Sequence, residues 1–329
     1  MDFTGRFLRN PAAASVLSLI AAVAFYVIAG RASLLELGAA ASWLNFAANL
    51  GVIALPVGLL MIAGEIDISF GAMIPAGAIT IALLSGTYGL PIEVGMLGAL
   101  GLGALVGLVN GLLTTRTRVP SLLITLGTLT IMQGVVLWSA MRLAGNASIP
   151  LKSPAWAKFA FGQMFGNGHQ IIILWWIALV LAFGFFLHKT RYGNWVFALG
   201  GDKYSARNAG VPTARVTILL FVLSAMAASF VGMCGAIQFN TTQVSGGMSY
   251  IFNVIASVVV GGVLLTGGFG SVTGIFIGTL TFAIVNKGIS FTVINPNWAN
   301  FVIGTTLVLA MLLNEYFRKK ALAYSPKKS

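Results

Sequence analysis

Long apolar stretches separated by short polar ones run along almost the whole chain. A helix of about 17–25 apolar residues is long enough to cross the hydrocarbon core of a bilayer. The pattern predicts about ten such spans, at 12–30, 43–63, 70–86, 94–114, 120–141, 170–187, 216–236, 250–266, 271–291 and 298–314. A transmembrane barrel would instead show short segments of alternating polarity. The sequence therefore predicts an all-α membrane protein.

The basic residues between the spans predict the orientation, because Lys and Arg in short loops concentrate on the cytoplasmic side. With the N-terminus placed in the cytoplasm, the inside receives Arg6, Arg9, Arg116, Arg118, Lys189, Arg191, Lys203, Arg207, Arg215, Arg318, Lys319, Lys320, Lys327 and Lys328. The outside receives only Arg31, Arg142, Lys152 and Lys158. We therefore expect both termini, and the polar segment 189–215, in the cytoplasm.

The composition excludes several classes of protein. Hydrophobic residues make up 58% of the chain and charged residues only 8%, whereas about a quarter of a soluble domain is charged. The net charge of +12 flanks apolar spans and does not form a polar domain, so we expect membrane lipid and no nucleic acid as a partner. We expect one integral membrane domain, 1–329.

Candidate catalytic chemistry is sparse. Cys234 is the only cysteine, and His169 and His188 sit at span ends without a neighbouring carboxylate, which gives no metal site and no nucleophile–base pair. No Gly-Lys pair occurs, so a P-loop is absent from the sequence. We expect no cofactor bound by this chain.

The longest polar segment on the basic side, 189–215, contains a short helix with both ends marked. Asp202 is a good N-cap, because its carboxylate accepts from orphan backbone N–H groups. Gly210 suits the left-handed position after the helix, and Pro212 cannot continue it. The predicted helix therefore covers Lys203 to Ala209.

This helix carries Lys203 and Arg207 on one face at i, i+4 spacing. Two turns of helix are marginal in water, so a partner that docks there is expected to stabilise them. A solvated connecting helix is the alternative interpretation.

A polar break, Gly64-Glu65-Ile66-Asp67-Ile68-Ser69, interrupts an otherwise apolar run from 43 to 86. Its two carboxylates can coordinate a cation, cap the following helix through Asp67 or Ser69, or bond to neighbouring backbone. Capping is the favoured interpretation.

Glycines at four-residue spacing predict close helix packing, because small residues let two helix backbones approach in lipid. One set is Gly103, Gly107 and Gly111, and another is Gly270, Gly274 and Gly278. The outer loop 142–169, rich in Pro and aromatic residues, is expected to be structured.

Polar side chains inside the spans need partners or a water-filled path. They include Asn45, Asn49, Asn110, Thr125, Thr128, Gln133, Gln238, Asn240 and Asn253, of which Asn110, Thr125, Thr128, Gln133 and Asn240 are the candidate translocation path. Neutral donors and acceptors suit an uncharged polyhydroxyl solute, and no carboxylate lies at mid-membrane unless Asp67 folds inward. Lys287 is the only charge inside a span, near its outer end, and both a structural and a functional role fit it.

Several of these stretches together resemble one family: the permease subunit of bacterial ATP-binding-cassette importers for monosaccharides, of the ribose, xylose and autoinducer-2 type, related to branched-chain amino-acid permeases. The similar segments are 64–69, 110–111, 120, 125–128, 200–202, 205–207, 210–211 and 261–274. Glu65 stands where the family has glycine, Ser205 replaces an alanine, and Asp202 replaces an asparagine.

The resemblance implies a permease bundle like that of the vitamin B12 importers, multi-pass in the bacterial inner membrane. Its partners would be a cytoplasmic ATPase that holds ATP and Mg, a second permease copy, identical or paralogous, and a periplasmic sugar-binding protein. The segment around 203–209 would couple to the ATPase through Asp202, Lys203, Ser205, Ala206, Arg207 and Gly210. The family motif at the helix break would be Gly64, Asp67 and Ser69.

On this basis we expect the chain to translocate a sugar or sugar-like polyol and not to be an enzyme itself. A permease for branched-chain amino acids and a stand-alone secondary transporter or channel remain alternatives. A membrane enzyme lacks support from any motif.

Overall fold

The computed structural model describes residues 13–29, 33–242, 244–292, 296–298, 301–305, 308–309 and 312. These residues are mainly helical, as predicted. The helices are α1 Ala13–Ala29, α2 Leu37–Ile62, α3 Phe70–Ile81, α4 Ile92–Arg116, α5 Ser121–Ser139, α6 Ala155–Ala157, α7 Ile172–Lys189, α8 Arg191–Gly201, α9 Lys203–Asn208, α10 Thr213–Phe239, α11 Met248–Val260 and α12 Val272–Gly288. Wider π-type turns extend α3, α5 and α6 at Ala82–Thr87, Ala140–Ala144 and Lys158–Gly162, and short 3₁₀ turns occupy Ser33–Leu35, Ile289–Phe291 and Pro296–Trp298.

Seven helices within the described residues are long and apolar enough to cross a membrane: Leu37–Ile62, Phe70–Thr87, Ile92–Arg116, Ser121–Ala144, Ile172–Lys189, Thr213–Phe239 and Val272–Phe291. Two shorter apolar helices, α1 and α11, coincide with the first and eighth predicted spans. The ends of the first span, much of the tenth and both termini lie outside the described residues. The total of ten spans stays a prediction.

The eighth predicted span, 250–266, is wrong at its end. Helix α11 stops at Val260 because the chain turns at Gly261 and Gly262, and Gly262 adopts φ +88°. Residues 261–271 then form an irregular loop before α12. Sequence hydropathy does not register this break, because the loop itself contains apolar residues.

Helix α10 lies at the centre of the bundle and packs along α2, α3 and α4. Its contact with α4 confirms the predicted close packing through glycines. A Cβ atom on Gly107 would lie 2.5 Å from the Phe221 carbonyl oxygen, and one on Gly111 would lie 2.7 Å from the Ile218 Cα. Gly103 faces Met226 in the same way.

The second glycine set behaves as predicted at two of its three positions. Gly274 and Gly278 face the backbone of Gly261 and Ser257, so α12 and α11 approach closely. Gly270 precedes α12 and packs against the Ile62 side chain instead.

The outer loop is structured, as expected, and contains two β-strands that an all-α prediction omits. Strands β1 Met164–Phe165 and β2 His169–Gln170 form an antiparallel hairpin. Residues 149–151 also run beside 240–242, where the Leu151 amide donates to the Asn240 carbonyl at 2.9 Å. These contacts fix the loop to the end of α10.

Large apolar side chains remain exposed along α4, α5 and α7, among them Leu97, Ile131, Trp138, Leu181 and Phe185. A soluble monomer rarely exposes an apolar surface of this extent. The helices that carry these residues therefore face lipid or another membrane protein.

Candidate functional site

The polar break between α2 and α3 turns back into the bundle. Gly64 adopts φ +83°, which reverses the chain after α2. Asp67 is then almost fully buried, and its Oδ1 accepts from the Ser69 amide at 2.8 Å and from the Ser69 hydroxyl at 2.6 Å. Its Oδ2 accepts from the Ser224 hydroxyl at 2.7 Å. Asp67 therefore bonds to the backbone and hydroxyl of Ser69, which is the alternative in which the carboxylate bonds to neighbouring backbone. Ser69, the N-cap of α3, forms no side-chain capping bond.

The position of Ser224 shows how deep this carboxylate lies. Ser224 is about 16 Å along the axis of α10 from Thr213, at 1.5 Å per residue. Asp67 thus folds inward and places its carboxylate within the bundle. Both of its oxygens are occupied by protein donors, so the carboxylate is held as part of the structure.

Three of the predicted path residues surround the same break. The Asn110 amide donates to the Ser69 hydroxyl at 2.9 Å, and the Thr128 hydroxyl donates to the Asn110 Oδ1 at 2.6 Å. The Thr125 Oγ1 accepts from the Ile68 amide at 3.3 Å. With Asp67, these side chains form one buried network, which we call the break network, between α3, α4, α5 and α10.

The other two predicted path residues lie apart from it. Gln133 is half-buried on α5, where its amide contacts the Met248 sulfur. Asn240 ends α10 in the left-handed conformation, at φ 53°. The structure therefore does not bring the five predicted path residues into one site.

The short helix α9 has the predicted ends. The Asp202 carboxylate accepts from the Ser205 amide at 2.6 Å, and the hydrogen bonds from Ser205 lower the Asp202 pKa below its usual value. At the other end, Gly210 adopts φ +83°, its amide donates to the Arg207 carbonyl, and the Val211 amide donates to the Ala206 carbonyl. This is the Schellman arrangement. The helix ends at Asn208, one residue earlier than predicted.

Beside α9 lies a basic groove of about 800 Å³. Its lining consists of Thr115, Lys203, Tyr204, Arg207, Val211, Pro212, Thr213, Ala214 and Arg215. Three cations and no carboxylate line it, so the groove favours an acidic surface on a partner. Tyr204 is largely exposed beside them, whereas Ala206 packs inward.

Three glycine-containing segments meet next to α9, in a contact that we call the glycine joint. Gly200 packs directly on the Ile62 carbonyl and the Gly268 amide, with no room for a side chain. The Gly268 amide donates to that Ile62 carbonyl at 2.8 Å, and Gly267 faces both Gly64 and Gly200. The joint connects α8, the break after α2, and the loop before α12.

A second connection to the break is electrostatic. The Lys203 ammonium of α9 lies 2.6 Å from the Glu65 carboxylate, the only salt bridge among the described residues. The sequence alone assigns no role to Glu65, because its partner Lys203 is 138 residues away in the chain.

A polar cavity of about 710 Å³ lies towards the opposite end of the bundle. Asn45, on its wall, is about 26 Å from Ile62 along α2. The wall combines residues of five helices and two loops: Ser42, Asn45, Phe46, Asn49, Ile74, Pro75, Ala78, Gln170, Val231, Gly232, Gly235, Ala236, Gln238, Phe239, Thr241, Thr242, Ser245, Gly246, Gly247, Tyr250 and Lys287. None of the five predicted path residues belongs to this lining.

Amide hydrogen bonds fix the cavity wall to the hairpin. The Asn45 amide donates to the Gly168 carbonyl at 2.8 Å, and its Oδ1 accepts from the Gln170 amide N–H at 2.8 Å. The Asn49 amide donates to the Gln170 Oε1 at 2.9 Å. Asn45, Asn49 and Gln238 are polar residues of predicted spans, but no pattern in the sequence places them in one cavity.

Residues 39–311 match the family described as "Branched-chain amino acid transport system / permease component". The chain belongs to this family.

Several curated relatives of this permease are named for sugars. It is 28% identical over 280 residues to the fructose import permease protein FrcC of Rhizobium meliloti, covering 83% of this chain and 77% of the relative. It is 30% identical over 292 residues to the xylose/arabinose import permease protein XylH of Sulfolobus acidocaldarius, covering 84% and 77%. To the galactose/methyl galactoside import permease protein MglC of Escherichia coli it is 29% identical over 286 residues, covering 82% and 84%. No solved structure gives a significant match.

These relatives and the apolar helices make the permease a multi-pass protein of the cell inner membrane. Within the described residues, no group of three or more His, Cys, Asp and Glu side chains is placed to hold a metal ion. The candidate functional sites are therefore the basic groove, the glycine joint with the break network, and the polar cavity.

Proposed function

We propose that this chain is the transmembrane subunit of an ATP-driven importer that translocates a monosaccharide or a sugar-like polyol. The sugar permeases among its relatives support this substrate class. The observation that carries the proposal is the placement of a polar cavity towards one end of the bundle and a capped basic helix at the other. A solute site open to one side of the membrane and a docking site for an ATPase on the other side would lie at opposite ends of the bundle.

In the proposed orientation, the basic groove faces the cytoplasm and the cavity opens towards the periplasm. Ten spans with both termini inside are consistent with the excess of Lys and Arg on the groove side. The cavity then receives the solute from a periplasmic sugar-binding protein. We propose that the whole chain forms one permease domain and works as a pair with a second copy, identical or paralogous.

The proposed partner at the groove is a cytoplasmic ATPase, which would bind ATP and Mg; the chain itself would bind no cofactor and catalyse no reaction. Charge complementarity supports carboxylates on the docking surface of that ATPase, because Arg207 and Arg215 line the groove and form no salt bridge among the described residues. Asp202, Ser205, Ala206 and Gly210 would contribute by holding α9 in shape: Asp202 and Gly210 mark its ends, and Ala206 packs inward.

The glycine joint supports a route for coupling. A displacement of α9 would act through Gly200 on the carbonyl of Ile62 and on the loop at Gly268, because these backbones are in direct contact. The elements so reached are α2, α11 and α12, and all three line the cavity. Nucleotide binding on the ATPase would then shift the population between two arrangements of these helices.

The predicted path residues take a particular place in this proposal. Asn110, Thr125 and Thr128 are hydrogen-bonded in the break network, so a solute would reach them only in a conformation that opens the break. The cavity is already open in this conformation. We therefore propose that the solute enters through the cavity. The predicted path residues would contact the solute in other conformations of the permease: Asn110, Thr125, Thr128, Gln133 and Asn240.

The test is uptake in cells that express this chain with its ATPase and binding protein and lack other sugar permeases. We expect ATP-dependent uptake of a monosaccharide, and a loss of about tenfold or more in Arg207→Glu, because a carboxylate in the groove repels an acidic partner. Arg118→Glu makes the same charge change at an exposed site outside the groove lining and should retain uptake.

Three results would contradict the proposal. Unaltered uptake in Arg207→Glu would remove the docking role of the groove. Uptake of leucine in place of sugars would favour the branched-chain amino-acid importer. Transport by the purified chain without any ATPase would establish a stand-alone transporter.

A further inference from the structure

The charge pattern of the cavity is unusual for a site that takes only neutral solutes. Its wall carries amides and hydroxyls together with a single charged residue, Lys287, and it carries no carboxylate. The ammonium therefore gives the cavity a positive potential that nothing on the wall neutralises. Inside a membrane protein such a charge is costly, and it is usually paired or functional.

The immediate surroundings of Lys287 do not supply an anion. Its ammonium lies 4.8 Å from the centre of the Phe46 ring, which also lines the cavity. This cation–π contact orients the side chain but leaves its net charge in place. The salt bridge between Lys203 and Glu65 belongs to the other end of the bundle, and Lys287 has no carboxylate partner among the residues that the structure describes.

The cavity wall also offers polar side-chain atoms to a solute. The hydrogen bond between Asn49 and Gln170 uses the Asn49 Nδ2 and the Gln170 Oε1, which leaves the Asn49 Oδ1 and the Gln170 Nε2 for hydroxyl groups. A hydroxyl-rich ligand with one negative charge would bond to these two amides and to Lys287 together.

We infer that the cavity binds a monosaccharide that carries one carboxylate, of the aldonate or uronate class. This inference rests on the proposed function and specifies its substrate class. One ammonium balances one carboxylate, whereas a phosphate ester carries up to two negative charges at neutral pH and its recognition usually involves several cations or an Arg fork. Asn49 and Gln170 would hold the hydroxyl groups, and Lys287 the carboxylate.

The charge preference is measurable without transport. We replace the single cysteine, Cys234, by alanine and introduce Ser245→Cys, an exposed position on the cavity wall. The purified full chain in phosphatidylcholine nanodiscs is then labelled with an anionic and a cationic methanethiosulfonate reagent of similar size. We expect the anionic reagent to react about threefold faster than the cationic one, because the Lys287 ammonium attracts it.

The decisive variant is Lys287→Met, which keeps the length of the side chain but removes its charge. The preference should disappear in Lys287→Met and persist in Lys287→Arg. Lys152→Met, which removes a cation from the outer loop outside the cavity, should leave it unchanged. An equal preference in wild type and Lys287→Met would overturn the inference.

Solute protection identifies the ligand class. D-Gluconate and D-galacturonate should slow labelling of the introduced cysteine at concentrations about tenfold lower than D-glucose and D-galactose, and Lys287→Met should equalise the two classes. Equal protection by acids and neutral sugars in the wild type would overturn the inference. If phosphatidylglycerol nanodiscs abolish the protection, Lys287 serves anionic lipid headgroups and the inference fails as well.

These results separate the inference from the proposed function, because labelling requires neither ATPase nor binding protein. Loss of the charge preference alongside intact sugar uptake would refute only the assignment of an acidic sugar. A Lys287-dependent preference in a chain that supports no ATP-driven uptake would refute only the importer role.

Discussion

The Lys203 ammonium lies 2.6 Å from the Glu65 carboxylate, so an ion pair joins the short helix α9 to the break between α2 and α3. Glu65 is mostly buried, with 12% of its side chain exposed, whereas Lys203 is half exposed. The pair spans two segments that are 138 residues apart in the chain. It places a charge of the proposed docking surface in direct contact with the loop that leads to the break network.

The first prediction concerns this ion pair. Glu65→Lys places two cations side by side, so we expect coupled uptake to fall about fivefold, in line with roughly 1 kcal/mol for a partly exposed pair. The double exchange Glu65→Lys with Lys203→Glu should recover most of the uptake, because it restores attraction. The control Glu93→Lys changes an acid at the start of α4 that forms no salt bridge among the described residues. A double exchange no better than the single change would show that the pair does not couple the two segments.

The second prediction tests the glycine joint with two neighbouring residues. A methyl group in Gly200→Ala would collide with the Ile62 carbonyl and the Gly268 amide, whereas Gly201→Ala meets open space. We expect Gly200→Ala to lower uptake about tenfold or more while the protein still inserts, because overpacking displaces the backbone contacts. Gly201→Ala should transport normally. Uptake and membrane abundance of both variants are measured together, and equal uptake would argue against the joint as a coupling contact.

The third prediction tests the break network through two threonines on α5. Thr128→Val removes the donor to the Asn110 Oδ1, and a buried acceptor that loses its partner destabilises the fold by about 1–2 kcal/mol. Thr130→Val is the control, because the exposed Thr130 hydroxyl bonds only to backbone carbonyls of its own helix. We expect a lower midpoint of thermal unfolding in detergent for Thr128→Val alone. Matching midpoints would mean that the network contributes little to stability.

The fourth prediction concerns the contact between α4 and α10. Gly107→Ala places a methyl group against the backbone of Phe221 and Val222, so the two helices must separate and the midpoint of unfolding should fall. Gly101→Ala, on the same helix, meets nothing within 4 Å. It should leave stability unchanged or raise it, because alanine favours a helix over glycine by about 1 kcal/mol. Unfolding followed by tryptophan fluorescence distinguishes the two variants.

The sequence predicted correctly those elements that depend only on residues close together in the chain. Seven predicted spans coincide with long apolar helices because burial in lipid follows from a continuous apolar run. Asp202 and Gly210 mark both ends of α9 because a cap depends on residues within one turn. The glycine spacing on α4 indicated close packing, although it did not name α10 as the partner.

The candidate site could not be assembled in this way. Asn110, Thr125 and Thr128 attract attention as polar residues within spans, and from the sequence a solute path is a natural role for them. In this conformation they hydrogen-bond within the break network, because the break turns inward and its backbone and side chains need partners there. Their place on a solute path stays a prediction. The cavity residues stand on different helices, and no periodicity connects them.

The sequence by itself determined an all-helical membrane protein, its apolar helices, and the capped basic helix, because hydropathy and capping act over a few neighbouring residues. Tertiary structure alone decided that Asp67 lies inside the bundle, that Glu65 pairs with Lys203, and that Lys287 faces a cavity of neutral polar groups. Ser224 and Asp67, for example, are 157 residues apart. Contacts over such separations depend on how the helices pack against one another, and that packing leaves no mark in the pattern of any single segment.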